Sequence, residues 1–409
     1  MKQLPLGIQT YRKIADSNAL YIDKTKHIYE LISSLEYVFL SRPRRFGKSL
    51  LVSTIEEIFL GSKELFKNTY IYDKIDWEKH PVIKISFAEK STDNAKAFEQ
   101  SIKDNLNLIF SINGLENDKT TIADSFKHLI ISLKEKYNQK VVILIDEYDK
   151  PINSNMEKPE LLEELKQVIR AFYSVIKDND QYIRFMFVTG VSKLAKVSLF
   201  SELNQMTDIS LYEKYATMLG LTEEELTENF EEYFQMLQDK YSISRKEVRD
   251  TLKKWYNGYS WDGKGFVYNP FSILSALDSA KILNYWYESG TSKPLMQLIE
   301  KDKISIEEIN NKVQTAGLFE GTEITDMTLT NLMFQTGYLT VKEVKVKGMQ
   351  EKYLLDYPNH EVKESLYKHI IGYITKSNAV DVEAKSIRMR QAFLKLFHIG
   401  IFQCLSHSD

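Results

Sequence analysis

The stretch YVFLSRPRRFGKS, residues 37–49, joins an apolar run to a loop that ends in Gly-Lys-Ser. Residues 50–60 follow with apolar side chains at helical spacing, so the pattern predicts a strand, a phosphate-binding loop and a helix. In such a loop, Lys48 would reach the β- and γ-phosphates of a nucleotide and the Ser49 hydroxyl would bind Mg²⁺. The predicted nucleotide-binding residues at the start of the helix are Arg45, Phe46, Gly47, Lys48, Ser49 and Leu50.

One residue of this loop departs from the full pattern G-x-x-x-x-G-K-[ST], because Arg42 stands where the pattern has glycine. Pro43 would help the chain to turn there. A Gly-Lys-Ser triplet alone also occurs in basic surface turns, so the triplet leaves both interpretations open. The arginines at 42, 44 and 45 could form a nucleic-acid patch, but beside a phosphate site they more simply add positive potential for a nucleotide.

A second stretch, VVILIDE at residues 141–147, predicts a buried strand that ends in two acids. Ligands of α/β sheets bind at the carboxyl ends of the strands, where both carboxylates would lie. Asp146 would hold Mg²⁺, and Glu147 would act as general base on the attacking water. Either acid alone is also typical of a surface residue at a strand end. The pair together with residues 47–49 favours a nucleotide site.

A third stretch, IRFMFVTG at residues 183–190, predicts a strand that ends in a small polar residue. We predict Thr189 as a further catalytic residue, which would sense the γ-phosphate of the nucleotide. A hydroxyl that only caps the end of the strand explains the same residue equally well. Both interpretations stay open.

Around these stretches, short apolar strands alternate with long amphipathic helices, which predicts an α/β fold with a parallel sheet covered by helices on both faces. The predicted strands span residues 37–41, 82–87, 141–146 and 183–189, with a short fifth near 208–211. The predicted helices span residues 95–112, 122–137 and 160–176. Strands stop after about residue 211, where Thr222 predicts the cap of a new helix.

Four domains follow from this pattern. They are a P-loop ATPase core (1–212), a helical lid (213–280), a winged-helix module (281–375) and a helical tail (376–409). The winged helix is inferred from a helix at 329–340, a basic ribbon at 341–348 and a return strand at 353–357.

The composition narrows the class of protein. The net charge of −3 argues against a generally basic nucleic-acid binder. The single cysteine, Cys404, excludes an internal disulfide framework and a cysteine-based zinc site, and is typical of a reducing compartment. The N-terminus lacks the apolar core of a signal peptide, and no run approaches the ~18 apolar residues of a membrane span. We therefore expect a cytoplasmic protein without a membrane partner.

Seven stretches along nearly the whole chain resemble a bacterial family of AAA-ATPase-like proteins, related to the archaeal-type ATPases within the STAND and AAA groupings. They are LGIQT (6–10), YIDKT (21–25), SRPRRFGKS (41–49), IDEYDKP (145–151), VTGVS (188–192), YNGY (256–259) and YNPF (268–271). An arginine at position 42 is typical of that family. The resemblance implies an AAA-like core and nucleotide binding at Lys48, Ser49, Asp146 and Glu147.

Many members of that family continue into a C-terminal restriction-endonuclease-like domain. Here no strand carrying the acids Asp…Glu-x-Lys follows before residue 409. We therefore expect a chain that is truncated relative to those members and that has no nuclease activity.

Three functions stay open. The favoured one is Mg²⁺-dependent binding and hydrolysis of ATP, coupled to a conformational change of the C-terminal half, because Glu147 supplies a base that a pure sensor does not need. The second is a non-hydrolysing nucleotide-gated switch or scaffold. The third is a DNA-binding regulator that uses the basic hairpin at 342–352.

The sequence indicates a nucleotide ligand more clearly than it indicates a macromolecular partner. A protein partner and a homo-oligomer are both open, and DNA is not favoured, because acidic residues sit among the hairpin lysines. Arg245 and Arg249 on the lid are candidates for an arginine finger in cis.

Overall fold

A five-stranded parallel β-sheet forms the centre of the N-terminal half. The computed structural model describes residues 2–193, 205–286, 312–319 and 328–375, together with Leu295. The strands are β1 (Tyr37–Ser41), β2 (Val82–Ser86), β3 (Val141–Asp146), β4 (Ile183–Gly190) and β5 (Thr207–Asp208), in the order β2-β3-β4-β1-β5. The predicted α/β fold with a parallel sheet is confirmed. β4 separates the strand before the Gly-Lys-Ser loop from the strand that ends in two acids.

Helices cover both faces of this sheet. They are α1 (Tyr11–Asp16), α2 (Thr25–Ser34), α3 (Lys48–Phe59), α4 (Ala95–Ile112), α5 (Ile122–Tyr137), α6 (Lys150–Asn153), α7 (Pro159–Tyr173) and α8 (Val175–Asp178). The helix predicted at 160–176 is wrong in one respect, because it is two helices that meet at Ser174. The Ser174 hydroxyl donates a hydrogen bond to the carbonyl oxygen of Ala171 and so competes for a backbone acceptor at the end of α7.

The sheet is buried on both faces, which explains why its strands are continuous apolar runs. In β3, Val142 and Leu144 belong to the apolar core shared with α3. Their neighbours Ile143 and Ile145 belong to the core shared with α4, α5 and α7. All four side chains are fully buried, so the carboxyl end of β3 is the first place where its polar residues can meet a ligand.

A third apolar core lies in the helical segment that follows β5. Its helices are α9 (Glu223–Asn229), α10 (Glu231–Tyr241), α11 (Arg245–Tyr256) and α12 (Pro270–Ser279). The predicted cap at Thr222 is confirmed, since its hydroxyl accepts from the backbone N–H of Glu225 in a reciprocal capping box. Leu4, near the N-terminus, packs into the same core.

A three-stranded antiparallel sheet follows, in the order β6-β8-β7. Its strands are β6 (Lys312–Thr315), β7 (Thr340–Lys347) and β8 (Gln350–Asp356), and the flanking helices are α13 (Leu329–Thr336) and α14 (His360–Thr375). The order helix, hairpin, helix is present, although α13 ends earlier than predicted. The division of this region into a helical lid and a winged-helix module stays a prediction. The predicted tail at 376–409 lies outside the described residues. Within the described ranges, no helix is long and apolar enough to cross a membrane.

Candidate nucleotide-binding site

The loop between β1 and α3 closes around the side chain of Lys48. Gly47 has a φ of 85°, in the left-handed region that glycine adopts without strain, and α3 begins at the next residue. The Lys48 ammonium donates to the carbonyl oxygens of Arg42 and Pro43, each at 3.0 Å. Burial lowers the pKa of Lys48, and the carboxylates of Asp149 and Asp146 oppose this effect. The loop therefore holds a buried cation on its inner side.

Arg42 stands at the start of the loop, and its side chain packs against the segment after β5. Its guanidinium donates to the carbonyl oxygens of Ser41 and Ser210, at 2.9 and 2.7 Å, and lies 3.9 Å from the ring centroid of Trp261. The side chain is only 1% exposed, and burial lowers its pKa to about 9. Arg42 therefore anchors the loop to the segment after β5 and to the C-terminal half. Arg44 and Arg45 are the exposed arginines of the loop.

The two predicted acids lie at the carboxyl end of β3. Asp146 is 7% exposed, and its Oδ1 accepts from the backbone N–H of Glu147 at 3.0 Å. Glu147 has a φ of 51°, an uncommon conformation for a residue with a side chain. Burial and the charge of Asp146 raise the pKa of Glu147, whereas Lys48 lowers it. Against the effect of burial, the charges of Asp146 and Glu147 both raise the pKa of Lys48, so the acidic pair lies near the loop.

Thr189 lies inside the sheet. Its side chain is fully buried, and its hydroxyl donates to the carbonyl oxygen of Leu40 at 2.8 Å, across the β4–β1 pairing. The hydroxyl is thus engaged with the backbone of β1. The sensor role of Thr189 stays a prediction.

Asp149 is a site residue to which the sequence assigned no role. It is 1% exposed, and its Oδ2 accepts from the backbone N–H groups of Val191 and Ser192, at 3.1 and 2.7 Å. Its position before a helix that starts with Lys150 and Pro151 is typical of an N-cap. No capping hydrogen bond forms there, because the carboxylate turns toward the end of β4 instead. The spacing of residues in the sequence carries no signal for that contact.

An apolar cavity of about 120 Å³ adjoins the loop at Gly47 and Leu50. Its walls come from the N-terminal segment, the start of α3, residues 218–221 and the start of α12; they include Leu20, Ile22, Leu221, Phe230 and Leu274. The charged side chain in this lining is Lys24, whose ammonium pairs with Glu225 at 2.5 Å and donates to the carbonyl oxygen of Thr217 at 3.0 Å.

The two arginine-finger candidates, Arg245 and Arg249, are both paired with carboxylates. Arg249 pairs with Glu223 at 2.8 Å, and Arg245 pairs with Glu231 at 2.5 Å. Each pair lies within the helical segment 223–256. The cis-finger role of both arginines stays a prediction.

Comparisons with known proteins identify the family of this chain. The family described as "Predicted AAA-ATPase" matches residues 5–200, which contain the loop, the acidic pair and all of β4. A protein of Azotobacter chroococcum mcd 1, described as "Uncharacterized protein in vnfD 5'region", is 38% identical over 372 residues. The match covers 90% of this chain and 70% of that protein. The chain belongs to the AAA-ATPase-like family, whose description points to ATP binding and hydrolysis.

Proposed function

We propose that this protein binds Mg²⁺-ATP at the loop between β1 and α3, hydrolyses it, and couples the nucleotide to the C-terminal half. The observation that carries the proposal is the proximity of the buried Lys48 to the acids at the end of β3, whose charges raise its pKa against the effect of burial. An ammonium held by carbonyl oxygens of its own loop can exchange these acceptors for phosphate oxygens.

The residues at this site fit a divalent cation bound with a triphosphate. Carboxylate and hydroxyl oxygens are the ligands that Mg²⁺ prefers, and Ser49 and Asp146 supply them at the start of α3 and the end of β3. When bound, Mg²⁺ would neutralise charge that develops on the phosphate oxygens. Glu147 in its ionised form would take a proton from the attacking water, and its raised pKa makes it a stronger base than an exposed carboxylate.

The apolar cavity beside Gly47 would hold the base of the nucleotide. It adjoins the loop that would bind the phosphates, and its walls are almost entirely apolar. A purine ring is flat and largely buried when bound, so an apolar cavity of this kind would favour the purine through apolar contacts. Lys24, the charged residue of the lining, is already paired with Glu225.

Coupling to the C-terminal half is supported by contacts of the loop itself. The ring centroid of Phe46 lies 4.8 Å from that of Tyr259 and 5.5 Å from that of Trp261. The guanidinium of Arg45 lies 3.7 Å from the ring centroid of Phe271. Three residues of the C-terminal half thus pack on the loop that would move when phosphates bind.

The decisive experiment measures Mg²⁺-ATP affinity by calorimetry for Lys48→Ala. Loss of the charge-assisted contacts with phosphate should weaken binding by about tenfold or more. The matched control is Lys127→Ala, an exposed lysine on α5, which should bind as the parent does. Equal affinity of Lys48→Ala and the parent would show that the loop is not a phosphate site.

The switch-or-scaffold function makes a different prediction for the same samples, namely binding of Mg²⁺-ATP with no phosphate release by the parent.

DNA binding through the hairpin has less support from geometry. Lys342 is directed inward, because its ammonium donates to the carbonyl oxygens of Pro358 at 2.8 Å and Gly258 at 3.3 Å. Burial lowers its pKa to about 8.

A further inference from the structure

The carboxylate of Asp149 joins the turn after β3 to the turn after β4. Beside the backbone N–H groups of Val191 and Ser192, it accepts from the Ser192 hydroxyl at 2.8 Å and from the Asn153 side-chain amide at 2.6 Å. An ionised carboxylate accepts at both oxygens, and hydrogen bonds to a charged acceptor are stronger than neutral ones. Asp149 therefore fixes two short connections that no β-ladder holds.

Tyr148 adds two contacts between the same turns. Its backbone N–H donates to the carbonyl oxygen of Thr189 at 3.1 Å, and its hydroxyl donates to that of Ser192 at 2.9 Å. Gly190 is packed so closely that a Cβ there would lie 2.6 Å from Cδ1 of Tyr148. Glu147 thus lies between Asp146, in the sheet, and two residues that are tied to β4.

A left-handed conformation at a residue with a side chain persists when its surroundings enforce it. The surroundings of Glu147 do so on its C-terminal side through Tyr148 and Asp149, and on its N-terminal side through the β3 ladder. Without the carboxylate of Asp149, the backbone N–H groups of Val191 and Ser192 would lose their acceptor and the turn after β4 would be free to shift.

We propose that Asp149 is a positioning residue of the hydrolysis site: it clamps the turn after β4 and so holds Glu147 in its left-handed conformation next to the phosphate-binding loop. This proposal rests on the proposed ATPase function.

The test is Asp149→Asn, which keeps the shape of the side chain but removes its charge and one of its two acceptor oxygens, both of which accept from Val191. We expect kcat to fall about 10²-fold, because a small misplacement of a catalytic group has effects of that size. Nucleotide affinity should stay within about threefold of the parent, since no phosphate contact is removed. A fall in kcat at parental affinity distinguishes a misplaced catalytic group from a damaged binding site.

Two further variants make the result specific. Asp178→Asn changes an exposed aspartate at the end of α8 and should behave as the parent does. Ser192→Ala removes one hydrogen-bond donor to the Asp149 carboxylate, so kcat should fall about tenfold while nucleotide affinity stays that of the parent. If Asp149→Asn does not fold, Ser192→Ala carries the test. Parental kcat in whichever variant carries the test overturns the proposal.

Amide hydrogen exchange separates this proposal from the ATPase function. A parent that binds Mg²⁺-ATP without turnover ends the hydrolysis proposal, and exchange then decides on Asp149. The clamp predicts that Asp149→Asn speeds exchange both at 191–192 and at 147–148. Faster exchange at 191–192 alone would show that Asp149 holds its own turn without positioning Glu147.

Discussion

At the scale of the residue, Arg42 takes the place of the first glycine of the phosphate-loop pattern without straining the backbone. The left-handed residues of the loop are Arg45 and Gly47, with φ of 67° and 85°, and Arg42 is not among the residues with positive φ. A glycine is therefore not needed at position 42 for conformational reasons. The long side chain instead ties the loop to Ser210 and Trp261. In this chain, an arginine that anchors the loop stands where the pattern has a flexible glycine.

Glu147 leads to a prediction about pH. Burial and the charge of Asp146 raise its pKa, and only the ionised carboxylate can accept a proton. We therefore expect kcat/KM, which reports groups of the free enzyme, to fall as pH decreases through a value above the ~4.3 of an ordinary glutamate. Phosphate release measured across a pH series checks this.

Glu147→Gln is the matched variant for that measurement. It keeps the shape of the side chain, so Mg²⁺-ATP should still bind, but turnover should fall by roughly 10²-fold or more. Its residual activity should also lack the acid limb. An acid limb that survives in Glu147→Gln would assign the titration to another group.

At the scale of the element, the turn after β4 depends on a residue without a side chain. A Cβ on Gly190 would collide with the Tyr148 ring and with the Asp149 carboxylate, and neither group has room to retreat because both are fully buried. Gly190→Ala should therefore lower the thermal midpoint, with an overpacking cost of about 1 to 3 kcal/mol. It should reduce turnover as well. Calorimetry and phosphate release on the same sample check both effects; an unchanged midpoint would contradict the close packing described here.

The same elements show how far the sequence predicts the structure. Strands β1 and β3 and helices α4 and α5 have the predicted bounds. A strand buried on both faces is a continuous apolar run, and an amphipathic helix has apolar residues at helical spacing, so both can be recognised in the sequence. The contact of Asp149 with Ser192 joins residues 43 positions apart. The contact of Arg42 with Trp261 joins two halves of the chain. Such pairs depend on tertiary packing, which no local pattern encodes.

At the scale of the whole molecule, the phosphate-binding loop is also a packing surface. Phe46 is 1% exposed although it lies inside a loop that would contact a ligand, because Tyr259 and Trp261 cover it. The backbone of Gly337 lies so close that a Cβ there would be 2.8 Å from that of Pro43. A displacement of the loop would therefore move the aromatic cluster or lose contact with it.

Trp261→Ala tests this link between the two halves. The variant removes the ring that stacks on Arg42 and packs on Phe46, so it should lower the free energy of unfolding by about 3 to 5 kcal/mol. Since the unsupported loop must be ordered again before phosphates can bind, Mg²⁺-ATP affinity should fall too. The control is Trp255→Ala, whose ring packs 4.6 Å from His360. That variant should lose stability but keep the affinity of the parent. Equal affinities for the two variants, measured by calorimetry, would show that the loop binds nucleotide independently of the C-terminal half.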